Sequence, residues 1–443
     1  MRIRAISVIL GVFIGGLSAV GAFAESRDDY WPAWRGPQLN GVAPTGDPPV
    51  TWSETENIKW KVKLPGKGSS TPVVWGNKMF IQTAVSTAEE TAAPEQPRPR
   101  RRGPPRGITP KAPYKFNLVC LDRGTGEVLW ERTVREEIPH EGHHPTGSFA
   151  SYSPVTDGEH VWASFGSRGL YCFDLDGNQK WSTELIQMRK KMTFGEGSSP
   201  ALAGDAIIVV MDHEGDSKIA AFNKDTGDLV WETDRQEGTS WATPLPVRVG
   251  GSLQVITCAT SMIRSYDAKT GDLIWQRGGL TANVIPSPVV GFGNVYCTSG
   301  FRGYALMAIE LGHTGDLADS DAVVWEVDRA TPYVASPLLY GDKIYVTDHL
   351  RPVLSCYEAE TGRPVFEDRK LIGLKQIYAS PVGAGGRIYI AGREGTTIVL
   401  NHSNSFEVLA TNVLDEGFDA SPVVIGDELY LKGGNHLYCI AHQ

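Results

Sequence analysis

Beyond residue 24, no stretch of this 443-residue chain approaches the ~20 apolar residues that a membrane-spanning helix needs. That argues against any span after the N-terminus. Positive charge is also in deficit, with 42 Lys+Arg against 51 Asp+Glu. Nonspecific nucleic-acid binding needs a basic surface, so no nucleic-acid partner is expected. The sequence has no P-loop, no HExxH pair and no nucleophile elbow, which removes the commonest motif-borne hydrolytic and phosphate-handling chemistries. No C-x-x-C-H haem-attachment motif occurs.

The apolar run that is present lies at the start. Arg2 and Arg4 are followed by apolar or small residues 5–21, and Ala22-Phe23-Ala24 has the form of a cleavage site. Residues 1–24 are read as an export signal, with an uncleaved anchor as the weaker alternative. The expected location is periplasmic or extracellular, with no integral span after cleavage. No Cys follows the cleavage site, so a lipid anchor is not expected. Without Arg2 and Arg4 the net charge falls from −9 to −11.

Eight Ser-Pro or Thr-Pro pairs dominate the rest. Their prolines are Pro72, Pro154, Pro200, Pro244, Pro288, Pro337, Pro381 and Pro422, and most are spaced 41 to 49 residues apart. A period in the forties signals a repeat architecture. The unit at 336–367 contains four short strand patterns with turn residues at fixed offsets. The third turn recurs as Asp122…Thr125-Gly126, Asn223…Thr226-Gly227, Asp267…Thr270-Gly271, Glu310…Thr314-Gly315 and Glu358…Thr361-Gly362. Glycine there supplies a left-handed position, and Asp or Thr can bond the turn backbone.

A bulky residue follows each turn: Trp130, Trp181, Trp231, Trp275, Trp325, Phe366 and Leu409. A four-stranded unit cannot cover its own faces, so this residue is expected to pack on the next unit. Seven such residues serve eight units. The last unit lacks a fourth strand, and Ile58-Lys59-Trp60-Lys61-Val62 has the pattern to supply it. The expected fold is all-β: an eight-bladed β-propeller of four-stranded antiparallel blades, closed by the N-terminal strand around Trp60, which removes exposed edges. The domain is taken as 52–443, preceded by a lead-in at 25–51.

Cysteine usage fits this register. Cys120, Cys172, Cys356 and Cys439 share one column, and Cys297 takes a position that other units fill with Val, Ile or Leu. Equivalent points on packed sheets lie ~10 Å apart, beyond the ~7 Å Cα separation a disulfide allows. Six free, mostly buried thiols are expected.

Two features interrupt the repeat on one face. Residues 84–115 form an insertion with seven basic and three acidic residues, read as a disordered surface loop or, alternatively, a docking arm for an acidic partner. His140, His143 and His144 stand with Glu141 in PHEGHHPTG, a weak candidate metal cluster against the simpler reading of a polar capping loop. Residues just before each Ser-Pro should surround the axial mouth. They form an aromatic rim of Phe149, Tyr152, Phe194, Tyr333, Tyr378 and Phe418 that suits a planar or sugar-like ligand or a protein partner.

The units, with Ser-Pro, apolar strands and Asp-x-x-Thr-Gly-x-x-x-Trp, resemble the PQQ-like β-propeller repeat shared by quinoprotein alcohol dehydrogenases and BamB-type assembly factors. The resemblance covers about Trp52 to His442, and Trp31-Pro32-Ala33-Trp34-Arg35-Gly36-Pro37 resembles the lead-in of exported proteins of this kind. Quinoprotein dehydrogenases hold PQQ on a Trp and Ca²⁺ with Glu and Asn. The resemblance offers Glu196, Trp241 and Asn283 as cofactor-binding candidates. The chain departs from those enzymes in having no adjacent Cys pair and no clear Asp-based catalytic motif. The expected function is therefore a non-catalytic, monomeric, BamB-like scaffold that binds an envelope protein partner and needs no cofactor. The alternatives are a PQQ- and calcium-dependent dehydrogenase and a carbohydrate-binding or sensing module.

Overall fold

The computed structural model describes residues 27–88, 107–348 and 351–443. Eight sheets follow one another along the chain, and consecutive strands within each pair antiparallel. Every innermost strand starts on the residue after a motif proline, as at Val73–Trp75, Ala201–Ala203 and Leu338–Tyr340. A proline tolerates that position because it has no N–H to give to a ladder.

The repeated hydroxyl has its own task. Thr71 N–H donates to Ser153 Oγ at 2.9 Å, Ser153 N–H to Ser199 Oγ at 2.9 Å, and Ser199 N–H to Thr243 Oγ1 at 3.2 Å. The series runs on through Ser287, Ser336 and Ser380 to Ser421, whose N–H returns to Thr71 Oγ1 at 3.1 Å. Eight side-chain hydrogen bonds thus close a ring around the axis. Backbone N–H groups that have no partner within their own sheet are satisfied by the neighbouring blade.

The ring of sheets is closed as the repeat count required. Ile58–Lys63 pairs with His436–Ile440 as the outer strand of blade eight. Trp60 stands opposite Cys439 as Trp130 stands opposite Cys120 and Trp181 opposite Cys172.

The tryptophan column docks blade on blade. A Cβ placed on Gly126, Gly177, Gly227, Gly271 or Gly362 would lie 2.5–2.8 Å from ring atoms of Trp60, Trp130, Trp181, Trp231 or Trp325 respectively. Each of these glycines also has positive φ, so its residue type is required twice over. The five indole N–H groups donate to turn carbonyls of the same neighbouring blade at 2.9–3.1 Å.

Three columns break this rule, and the simplest case is Phe366, which packs edge-on against Phe406 of blade seven. In blade five the turn carries one extra residue, and Gly315 pairs beside Trp275 as part of a fifth, parallel strand on blade four. Trp275 is fully buried with no partner for Nε1. In blade seven Val399 faces Ala410, so Ala410 occupies the column that the sequence pattern assigned to Leu409. That turn lacks Thr-Gly, and a one-residue slip in a period-2 strand sends the side chain to the opposite face. Leu409 is 39% exposed.

All six cysteines are free and buried. The ladder of blade one extends into the expected 84–115 insertion, with Ser86 paired to Tyr114. Residues 89–106, which hold most of the Pro/Arg-rich sequence, and the export signal at 1–24 lie outside the described residues. Among the described residues no helix is long and apolar enough to cross a membrane.

Candidate functional site

The lead-in lies across one end of the propeller axis. Trp31 pairs with Val74 in blade one, and Thr156 N–H in blade two donates to Pro32 O. Farther on, Gly41 and Ala43 exchange backbone bonds with Gly383 in blade seven, and Asp47 N–H reaches Gly426 O in blade eight. Between these anchors Trp34 and Arg35 sit over the channel. The propeller therefore encloses a cup, floored by Trp34, with a volume of about 220 Å³.

Its wall follows from strand parity. The residue two before each motif hydroxyl points inward: Ser69, Ser151, Gly197, Trp241, Ile285, Val334, Tyr378 and Asp419, one from each blade. The residue one before points away, because successive side chains of an extended segment alternate. That parity is legible in the sequence, where it marks Trp241 and Tyr378 as inward and Tyr152 as outward. Nothing in the repeat pattern pointed to Trp34 as the floor.

Three of the six expected rim residues line the cup: Phe194, Tyr333 and Tyr378. The other three are buried elsewhere. Tyr152 occupies the outward parity position and bonds Glu196. Phe149 packs edge-on against Tyr114 and His143. Phe418 is wholly buried against Tyr438.

Glu196 and Trp241 also line the cup, whereas Asn283 is buried beside it without contributing to the wall. The Glu196 carboxylate is heavily engaged. Oε2 accepts from Tyr152 Oη and Ser167 N–H, both at 2.8 Å. Oε1 accepts from Ser167 Oγ at 2.8 Å and from Arg168 Nη1 at 3.3 Å. Burial would raise its pKa, but Arg168, Ser167 N–H and Tyr152 outweigh burial and hold it below the usual range. Trp241 is fixed by Nε1–H donating to Gly195 O at 2.8 Å. Lys190, also buried, lies 5.8 Å from the Trp241 ring centroid and donates to the Asp212 and Ser240 carbonyls.

The three histidines do not converge. His140 Nε2 is 2.7 Å from Met188 O and 4.0 Å from Glu196 Oε1. With Glu141 and Glu196 it forms a group whose ligating atoms lie within 4.8 Å of one another. The void beside the two carboxylates has no room for a water molecule, and Arg168 lines it. Glu141 accepts twice from Lys190 N–H. Its burial, opposed by that N–H and reinforced by the Glu196 charge, pushes its pKa up to about 7. His143 Nδ1 meets His144 O, and His144 Nδ1 meets Thr146 Oγ1, each at 2.7 Å. His144 lies edge-on to Phe194 and so contributes to the cup wall.

A family model described as outer membrane protein assembly factor BamB matches residues 115–368 and, in an overlapping second match, 215–443. The chain belongs to this PQQ-like propeller family. BamB of Yersinia pestis is 21% identical over 339 residues, covering 72% of this chain and 78% of the relative. BamB of Bordetella pertussis is 28% identical over 245 residues, covering 55% of this chain and 54% of the relative. The chain thus spans little more than half of the Bordetella protein, and 56% of its Burkholderia pseudomallei counterpart. Among solved structures, BamB from Moraxella catarrhalis superposes with a TM-score of 0.56 at 14% identity, over 86% of this chain and 98% of that one. The quinohemoprotein alcohol dehydrogenase of Comamonas testosteroni gives 0.60 at 9% identity, over 94% and 81%. These structural likenesses establish the shared propeller and do not separate scaffold from enzyme.

Proposed function

We propose that this BamB-like propeller is a non-catalytic, exported scaffold that binds a protein partner in the cell envelope through its loop-bearing, open face. The observation that carries this reading is the state of Glu196. A calcium-bound quinone would need that carboxylate as a ligand, yet its oxygens already accept four hydrogen bonds, one from buried Arg168. Asn283, the second candidate ligand, does not reach the cup wall. The volume of about 220 Å³ falls short of the ~300 Å³ at which small-molecule sites usually begin. The residues present do not fit the PQQ–calcium pair. The family relatives carry the name outer membrane protein assembly factor, which makes that machinery the partner to test first.

The test is a titration of the protein with PQQ in the presence of Ca²⁺, read by tryptophan fluorescence, paired with cross-linking in cells of its own host. No quench at micromolar PQQ and a cross-link to the outer-membrane assembly machinery are expected. Stoichiometric PQQ binding that Trp241→Ala abolishes would establish the enzyme reading instead. The aromatic wall of Trp34, Phe194, Trp241, Tyr333 and Tyr378 favours, as a second reading, a small planar or sugar-like ligand. A monosaccharide panel followed by calorimetry tests that reading.

A further inference from the structure

The inward wall positions split the cup into two unlike halves. Trp241, Ile285, Val334 and Tyr378 come from blades four to seven and are large and mainly apolar. Asp419, Ser69, Ser151 and Gly197 come from blades eight, one, two and three and are small or polar. The ring is closed between blades eight and one, so each set is contiguous around the axis.

The wall offers a ligand no unpaired charge. Among the described residues neither Lys nor Arg lines it. Its two carboxylates are each met by an arginine that is not part of the wall. Glu196 accepts from Arg168 Nη1 at 3.3 Å, and Asp419 accepts from Arg393 Nε at 2.5 Å and Nη2 at 3.2 Å. Burial and the nearby Arg393 hold His144 below its usual pKa, which leaves a neutral imidazole at pH 7. Trp241 is fixed by its bond to Gly195 O, and Gly197 leaves it uncovered on the side of the polar half. A Cβ on Gly197 would lie 3.5 Å from Ser151 Cβ and 3.7 Å from Trp241 Cδ1, which is ordinary contact. Its φ is not positive either. Neither packing nor backbone requires glycine there, and what glycine does is keep the cup open beside the indole.

We propose that the cup binds one uncharged pyranose ring, its C–H face on Trp241 and its hydroxyls toward Asp419, Ser69 and Ser151. This rests on the second reading of the cup, as a small-ligand site. A pyranose has apolar C–H faces and a rim of hydroxyls, so it matches both halves at once. Its hydroxyls donate to carboxylate oxygens and exchange either role with serine hydroxyls. A flat heteroaromatic ring would stack on Trp241 but leave the polar half desolvated without partners, which costs affinity. The volume of about 220 Å³ lies below the ~300 Å³ at which drug-sized sites begin and suits a single ring. An anionic sugar would meet two carboxylates and no wall cation.

The test titrates the whole protein by calorimetry with the neutral methyl pyranosides of glucose, galactose, mannose and xylose, with methyl glucuronide, and with indole as a flat probe. At least one neutral pyranoside is expected to saturate a single site and to bind about tenfold or more tighter than the glucuronide, because like charges repel across an interface. Gly197→Leu, which fills the cup, is expected to abolish that binding while still unfolding cooperatively. If that variant does not fold, the charge ranking on the unaltered protein decides. The matching disaccharide separates two sources of the same chemistry: tighter binding than the methyl glycoside identifies a glycan chain end, and equal or weaker binding a free sugar. No saturable pyranoside binding, equal affinity for the glucuronide, or binding that survives in folded Gly197→Leu would each overturn the proposal. Binding of indole without any pyranoside would overturn it yet leave the small-ligand reading standing, and binding of neither would remove both.

Discussion

Trp231 and Leu409 occupy equivalent places in the repeat when it is aligned by sequence, and the structure predicts opposite consequences for removing them. Trp231 is 8% exposed, its Nε1–H donates to Ala268 O at 3.0 Å, and its ring covers Gly271 of the next blade. Trp231→Ala loses that packing and leaves Ala268 O without the indole, a change expected to cost about 3–5 kcal/mol. Leu409 faces outward, and Leu409→Ala should stay within about 0.5 kcal/mol. Gly271 makes the reasoning sharper. Its φ is +78°, and an added Cβ would lie 2.5 Å from Trp231 Cε3. Gly271→Ala should therefore cost about 1–2 kcal/mol in left-handed strain, plus about 1–3 kcal/mol of ring displacement. In the Trp231→Ala background the ring displacement disappears, while the strain and the 2.9 Å contact with Thr233 Oγ1 remain. Urea unfolding of the two single variants and the double variant should thus show a total smaller than the sum, by about 1–3 kcal/mol. Additivity within about 0.5 kcal/mol, or a Trp231→Ala cost no larger than that of Leu409→Ala, would refute blade-on-blade docking by the indole.

Glu141 sets a pH dependence. Its pKa rises from 4.5 in the free side chain to about 7 in the folded protein, so between those values the folded state holds a proton that the unfolded state has lost. Its contribution to stability is full below about pH 4.5 and is lost as pH rises to about 7. Thermal unfolding of Glu141→Gln across that range should show less decline than the parent, and parallel curves would count against the assignment. The thiols give a separate check. Burial pushes Cys120, Cys172, Cys356 and Cys439 up to about 12, and only a thiolate reacts readily. A disulfide-exchange dye should titrate fewer than one thiol natively and six in denaturant, and rapid native labelling would contradict the buried column.

The blade repeat was legible because it is local physics written eight times. Turn glycines, alternating strands and the docking tryptophan all lie within one unit, and the count of seven bulky residues for eight units located the closing strand at Trp60. The register error at Leu409 arose where one turn abandoned Thr-Gly. There the one-residue phase of a strand is set by pairing partners, not by distance along the chain.

The site was less legible. Period-2 parity marks Trp241 and Tyr378 as inward and Tyr152 as outward, a signal that composition of the rim obscured. Glu196 could be picked out by residue type, but whether its carboxylate is available depends on Arg168 and Ser167 from the loop of another blade.

By itself, then, the sequence determined the eight-fold β architecture, the closing strand and the burial of the cysteines, since each follows from short-range hydrogen-bond and burial periodicity. Only the tertiary structure decided that the lead-in stoppers the axis. Arg35 meets Pro337 and Pro381 across roughly three hundred residues of chain, and no local pattern encodes a contact that exists only once the ring has closed.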